Sequence, residues 1–243
     1  MSDTKIESLK IAGHVAARIH QKIAQLVKPG VDLLEIETLA KDEMKSHETE
    51  PAFLGFKGYP AVTCLSVNDE IVHGIPRHYI LQVGDILSVD LGVKKNGWIV
   101  DTARTHAVGK VSQELENLLA VTNEALNRAI AVCRKGNRTG DIGQVIESYV
   151  TKNGFFIVRD LTGHGVGQTL QEPPTIYNYG QKGHGTLLKE GMVIAVEPIT
   201  TVQKTDIGLG ADGWTIMSDS GAIGAHFEDT LVITDGEPLV LTR

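Results

Sequence analysis

Cysteine is scarce in this chain: 243 residues hold two, Cys64 and Cys133. That is too few for a disulfide framework, and they form no Cys-x-x-Cys pair. A thiolate zinc site is thereby excluded, and a reducing compartment, the cytoplasm, is expected. Basic charge is also short, with 23 Lys and Arg against 30 Asp and Glu and a formal net charge of −7. Pairs such as Lys94-Lys95 read as solvated surface, so a dedicated nucleic-acid binder is excluded. No apolar stretch reaches the ~20 residues of a membrane span, and the N-terminal MSDTKIESLK lacks the apolar core of a secretory signal. With no linker or low-complexity segment either, one domain over 1–243 is expected, and a monomer is the simplest arrangement. What remains is an ordinary globular composition, 42% hydrophobic and 22% charged, with chain enough to bury a substantial core.

Apolar residues recur at helical spacing over 4–27 (Ile6, Leu9, Ala12, Val15, Ala16, Ile19, Ile23, Val27) until Lys28-Pro29-Gly30 stops them. Asp32 reads as the N-cap of a second helix through about Lys45. Helices are also expected over 112–134, with Leu115, Leu118, Leu119, Val121, Leu126 and Ile130 as core residues, and over about 140–152. From Phe53 to Val108, and again from 153 onwards, short runs rich in Val and Ile alternate with Gly, Pro and Asn, the texture of strands and turns.

The two stretches echo each other. Val72-His73-Gly74-Ile75, the run Gly84 to Asp90 and Asp101-Thr102 are followed, in the same order, by Gly163-His164-Gly165-Val166, the run Gly191 to Glu197 and Glu228-Asp229-Thr230. In both copies a strand leads from a glycine to an acid six residues later. A duplicated α/β (α+β) unit follows, with halves at roughly 1–110 and 111–243 facing each other across a cleft.

Asp90, Asp101, Glu197 and Glu228 each follow apolar strand residues. Alone, each reads as a strand-end acid capping a turn. Together, carboxylates converging on one cleft would repel one another unless divalent metal lay between them. His164 adds a neutral nitrogen ligand, and glycines 163, 165 and 167 permit close backbone approach. The same glycines do not make a phosphate loop, since no Lys-Ser/Thr follows them and they are not a Gly-x-Gly-x-x-Gly opening a helix. One histidine with four acids suits Mn or Fe, with Co or Zn also accommodated. Two such ions ~3.5–4 Å apart would generate hydroxide at neutral pH and polarise a carbonyl, the chemistry of amide or ester hydrolysis.

The segments GYPAVTCLSVNDEIVHGIP (58–76), GDILSVDLG (84–92), DTART (101–105), TGHGVG (162–167), EGMVIAVEPI (190–199), DGWT (212–215) and FEDTLVIT (227–234) resemble type I methionine aminopeptidase over nearly the whole chain. The resemblance implies the pita-bread fold: two pseudo-symmetric halves, a central curved antiparallel sheet and helices packed outside. It implies two divalent ions (Mn, Fe, Co or Zn), bridged by Asp101 and Glu228, with Asp90 on one and His164 with Glu197 on the other. Glu197 is then the proton shuttle for the attacking hydroxide, and His73 contacts the scissile amide. The implied substrates are peptide or nascent-chain N-termini, with transient ribosome contact.

Position 171 departs from that family. A second substrate-binding histidine is expected seven residues after His164, and Gln171 stands there. Gln still donates and accepts hydrogen bonds but carries no proton near neutral pH. The expected outcome is a slower or differently tuned enzyme. The positions matching the family's methionine pocket are Phe53, Phe56, Tyr59, Cys64, Leu170 and Trp214. Tyr59, Cys64 and Trp214 are usual there. Phe53 replaces a smaller residue, Phe56 a tyrosine and Leu170 a phenylalanine. The competing expectations are an X-Pro aminopeptidase or dipeptidase of the same fold, and a non-catalytic binding paralogue, which would be expected to have lost metal ligands.

Overall fold

A computed structural model describes residues 3–243. The sequence's first two residues, part of the segment read above for a signal, lie outside the described residues. Four helices form where the apolar spacing places them: α1 (Asp3–Leu26), α2 (Leu33–Ser46), α3 (Gln113–Val132) and α4 (Thr139–Lys152). Side-chain caps set the starts of α2 and α3. Asp32 Oδ1 accepts from Leu34 N at 3.0 Å while Glu35 Oε1 accepts from Asp32 N at 3.0 Å, a reciprocal capping box. Ser112 Oγ caps α3 by accepting from Leu115 N at 3.2 Å. Among the described residues no helix is long and apolar enough to cross a membrane.

The helices cover two cores. One core joins Leu9, Ile19 and Ile23 of α1 and Ile36 of α2 to Leu65, Val89 and Leu91. The other joins Leu118 and Leu126 of α3 and Ile146 of α4 to Ile194, Val196 and Leu231. Leu119 is only partly buried, at the edge of the second core; its neighbours Leu118 and Val121 take the inward face of α3.

All strand pairings among these elements are antiparallel. A four-stranded sheet pairs Ile86–Lys95 with Glu50–Pro51, Thr63–Val67 and Trp98–Ala107. A five-stranded sheet runs in the order Leu239–Val240, Asp229–Val232, Val193–Val196, Thr162–Gly165, Glu172–Tyr177. The two sheets meet where Ala103 and Glu228 exchange backbone hydrogen bonds of 3.3 and 2.9 Å. Thr230 Oγ1 adds a second tie by accepting from Asp101 N at 2.8 Å and donating to Asp101 O at 2.7 Å.

One expectation is corrected here. Asp90 does not end its strand, which continues from Ile86 to Lys95. Leu91 and Val93 are fully buried and carry the strand on. The chain reverses only at Asn96-Gly97, both in the left-handed region with φ of 50° and 80°, as a two-residue hairpin turn requires. Asp101 is likewise within its strand, Trp98–Ala107. Asp90 and Asp101 face Ala103 and Gly92 in register, so they are diagonal neighbours on one face of the sheet.

Candidate metal centre and its pocket

The seam between the sheets places acids from both halves together. Asp90 and Asp101 come from the first hairpin, Glu197 follows the strand Val193–Val196, and Glu228 precedes Asp229–Val232. Asp90, Asp101 and Glu228 are 8%, 5% and 2% exposed. One ligand atom from each of Asp101, His164 and Glu228 lies within 4.8 Å of the others. His164 Nε2 stands 3.5 Å from Glu197 Oε1 and 3.8 Å from Asp101 Oδ2. Its Nδ1 donates to Gly165 O at 2.9 Å, which fixes the ring with Nε2 toward the acids.

The glycines of this loop are there for space. A Cβ at Gly163 would stand 2.5 Å from Ala195 O, and one at Gly165 would stand 2.3 Å from Pro173 O. Any side chain at either would push the His164 strand off its neighbours.

Among the described residues no cation balances the charge of these acids. Burial, then the charges of Asp101 and Glu197, pushes the Asp90 carboxyl well above the usual range. Burial raises Asp101 to about 7, against the lowering effect of the Thr102 backbone. Burial and Asp101 raise Glu197; burial followed by Asp101, Glu197 and Asp90 raises Glu228. Asp90 Oδ1, Asp101 Oδ1 and Glu228 Oε1 are buried without a hydrogen-bond partner among the described residues. Unpartnered oxygens around an imidazole nitrogen held toward them are a donor set that fits a divalent cation.

All thirteen residues singled out in the sequence line one cavity of about 290 Å³. Its polar end is the acid cluster with His164, His73 and Gln171. Its apolar end is Phe53, Phe56, Tyr59, Cys64, Leu170 and Trp214. Tyr59 is the keystone of that end. Its ring meets Trp214 and Phe53 edge-on at 5.2 and 6.5 Å between centroids. Its hydroxyl shares its one proton between Thr63 O and Gly74 O, both at 3.0 Å. Phe53 lies over Gly92, where a Cβ would come within 2.8 Å of its ring, so the larger side chain is seated against the Asp90 strand. Burial, then the charge of Asp90, pushes the Cys64 thiol up, leaving it a wall rather than a nucleophile.

His73 reaches the cavity from a backbone in the left-handed region, φ 61°, where a non-glycine residue is uncommon. Enclosure by the walls and the Lys57 cation lower its pKa, so it stands as a neutral imidazole at pH 7. Gln171 is exposed and its side chain makes no hydrogen bond among the described residues.

Sequence reasoning missed one histidine. His226 lines the same cavity, 3% exposed. The available signal was its place two residues before Glu228, which puts both on one face of extended chain.

The comparisons agree with this geometry. The pattern of metallopeptidase family M24 matches residues 7–235. The methionine aminopeptidase of Clostridium acetobutylicum is 39% identical over 242 residues, 99% of this chain and 97% of that protein. The crystal structure of the methionine aminopeptidase from Thermotoga maritima superposes with a TM-score of 0.98 at 38% identity, covering 100% of this chain and 98% of that one. The chain belongs to metallopeptidase family M24. A prolidase from Pyrococcus furiosus, TM-score 0.80 at 24% identity, covers 100% of this chain but 64% of its own, and shares the fold.

Proposed function

We propose that the protein is a metal-dependent aminopeptidase that removes the N-terminal methionine from peptides or nascent proteins. The observation that carries this reading is the single cavity with two unlike ends. An apolar, largely aromatic lining adjoins a cluster of unbalanced acids. The full-length likeness to methionine aminopeptidases supports the same substrate class.

Asp90, Asp101, His164, Glu197 and Glu228 would hold two divalent ions, drawn from Mn, Fe, Co or Zn. Bound there, the metal supplies Lewis-acid polarisation of a carbonyl and a strong nucleophile at neutral pH. The chain's own groups do the rest. The Glu197 carboxylate accepts no hydrogen bond from the described residues and opens on the cavity, so it is free to take a proton from water and deliver it to the departing amide nitrogen. His73, neutral and facing the cavity, donates to the scissile amide as charge develops on it. Gln171 orients the substrate backbone through its amide. Tyr59, Trp214, Phe53, Phe56, Leu170 and Cys64 exclude water from the methionine side chain. A monomer in the cytoplasm, with transient contact at the ribosome, completes the reading; the two free, buried thiols support the reducing compartment.

The test is release of amino acids from Met-Ala-Ser, Leu-Ala-Ser and Ala-Pro-Ser peptides with Mn or Co supplied. Release of methionine alone is expected. Cleavage of the proline peptide would move the protein to the X-Pro enzymes, and no cleavage despite bound metal would leave a binding paralogue.

A further inference from the structure

We infer that His226 is a further imidazole ligand of the metal centre, an inference that rests on reading Asp101, His164, Glu197 and Glu228 as that centre. The ring is buried, it borders the cavity, and neither Nδ1 nor Nε2 has a hydrogen-bond partner among the described residues. A buried imidazole with both nitrogens idle is unfavourable unless something outside the chain engages it.

Its surroundings say what kind of thing. His226 Nε2 lies 3.8 Å from Glu197 Oε2 and 3.8 Å from Glu228 Oε2. That is too long for a hydrogen bond. It does fit donor atoms sharing one cation, since atoms each ~2.0–2.2 Å from an ion stand no more than ~4 Å apart. His164 provides the internal standard, with Nε2 at 3.5 and 3.8 Å from two carboxylates of the same cluster. Glu197 stands between the two rings, Oε1 toward His164 and Oε2 toward His226. The rings differ at Nδ1. In His164 it donates to Gly165 O; in His226 it has no acceptor. His226 is therefore the less firmly oriented ligand and the smaller contributor. A second nitrogen donor moves the centre's preference from Mn toward Co and Zn.

The experiment is proton NMR of the full chain saturated with Co(II), counting hyperfine-shifted, solvent-exchangeable imidazole N–H signals, with Co(II) affinity measured alongside. Two signals are expected in the unmodified protein. His226→Leu should remove one and weaken Co(II) binding about tenfold. His164→Ala should remove the other and weaken binding more. One signal in the unmodified protein, lost in His164→Ala and kept in His226→Leu, would overturn the inference while leaving the centre intact. Absence of Co(II) binding would sink the centre itself, and this inference with it. Should the leucine variant fail to fold, the count in the unmodified protein still decides, and His226→Gln gives the affinity.

Discussion

Glu228 and Asp229 are adjacent, 2% and 0% exposed, and their side chains leave the backbone on opposite faces. Asp229 accepts from Arg104 Nη2 at 2.5 Å, Arg243 Nε at 2.7 Å and Thr242 Oγ1 at 2.8 Å. Glu228 faces the cavity, with Oε1 unpartnered among the described residues and, after burial, four other acids raising its pKa, Asp229 the least of them. Burial is the same for both; the difference is who supplies the countercharge. Where the chain supplies it, the carboxylate locks the C-terminal residues onto the strand Trp98–Ala107. Where the chain withholds it, the carboxylate is left without countercharge, which is the ground for proposing Glu228 as a metal ligand.

The sharpest way to break this comparison is to neutralise each acid in turn. Glu228→Gln should lower kcat by about 10³-fold or more while leaving the melting temperature of metal-free protein unchanged or higher, because one repelling charge is gone. Asp229→Asn should do the reverse. It removes the partner of two guanidinium groups and should lose about 3–5 kcal/mol of stability, roughly 6–20 °C in melting temperature, with the metal-to-protein ratio retained. Equal destabilisation by both variants, measured by calorimetry, would end the distinction.

A titration sharpens it further. Asp101 has its pKa raised to about 7 by burial, so around neutral pH the folded state holds a proton that the unfolded chain has released. Stability of metal-free protein must then fall as pH rises toward 7 and slightly beyond, by up to about 1.4 kcal/mol per pH unit for each such proton. The buried histidines act in the opposite sense but only at lower pH, since His226 is held down to about 3 and is neutral in both states above the ordinary range. Melting in chelator between pH 6.5 and 8 should show the decline, and added Mn or Co should reverse it more strongly at the higher pH. A flat profile would mean the cluster is balanced after all.

The smallest effect belongs to Gln171→His. The side chain is exposed and unbonded, so stability should change by less than about 0.5 kcal/mol. The added imidazole should raise kcat/KM for the methionine peptide, by about tenfold if it meets the substrate in the transition state. No change in rate would show that Gln171 already does all that the position requires.

The helices and the acid-bearing strands were legible because each rests on local patterning: apolar spacing, Asp32 as a cap, and the repeated glycine-to-acid strands; the apolar wall of the cavity, His73 and the place of Gln171 came only through the family resemblance. The extent of the Asp90 strand was not read, because its continuation depends on Leu91 and Val93 being buried by packing from α1 and on the turn at Asn96-Gly97 further on. His226 was passed over for a different reason. It lies outside the three echoed motifs, and its one signal, the two-residue spacing to Glu228, holds only if the chain stays extended between the strands Gly224–His226 and Asp229–Val232.

The left-handed backbone at His73 limits how this position can change over time. Asn, Asp and Gly take such a φ most readily, and most other residues are strained there. A lineage that gave up the imidazole would therefore drift toward those three and preserve the loop's course. Shape and chemistry can be inherited separately at this corner, and His73→Asn is the substitution that tells them apart.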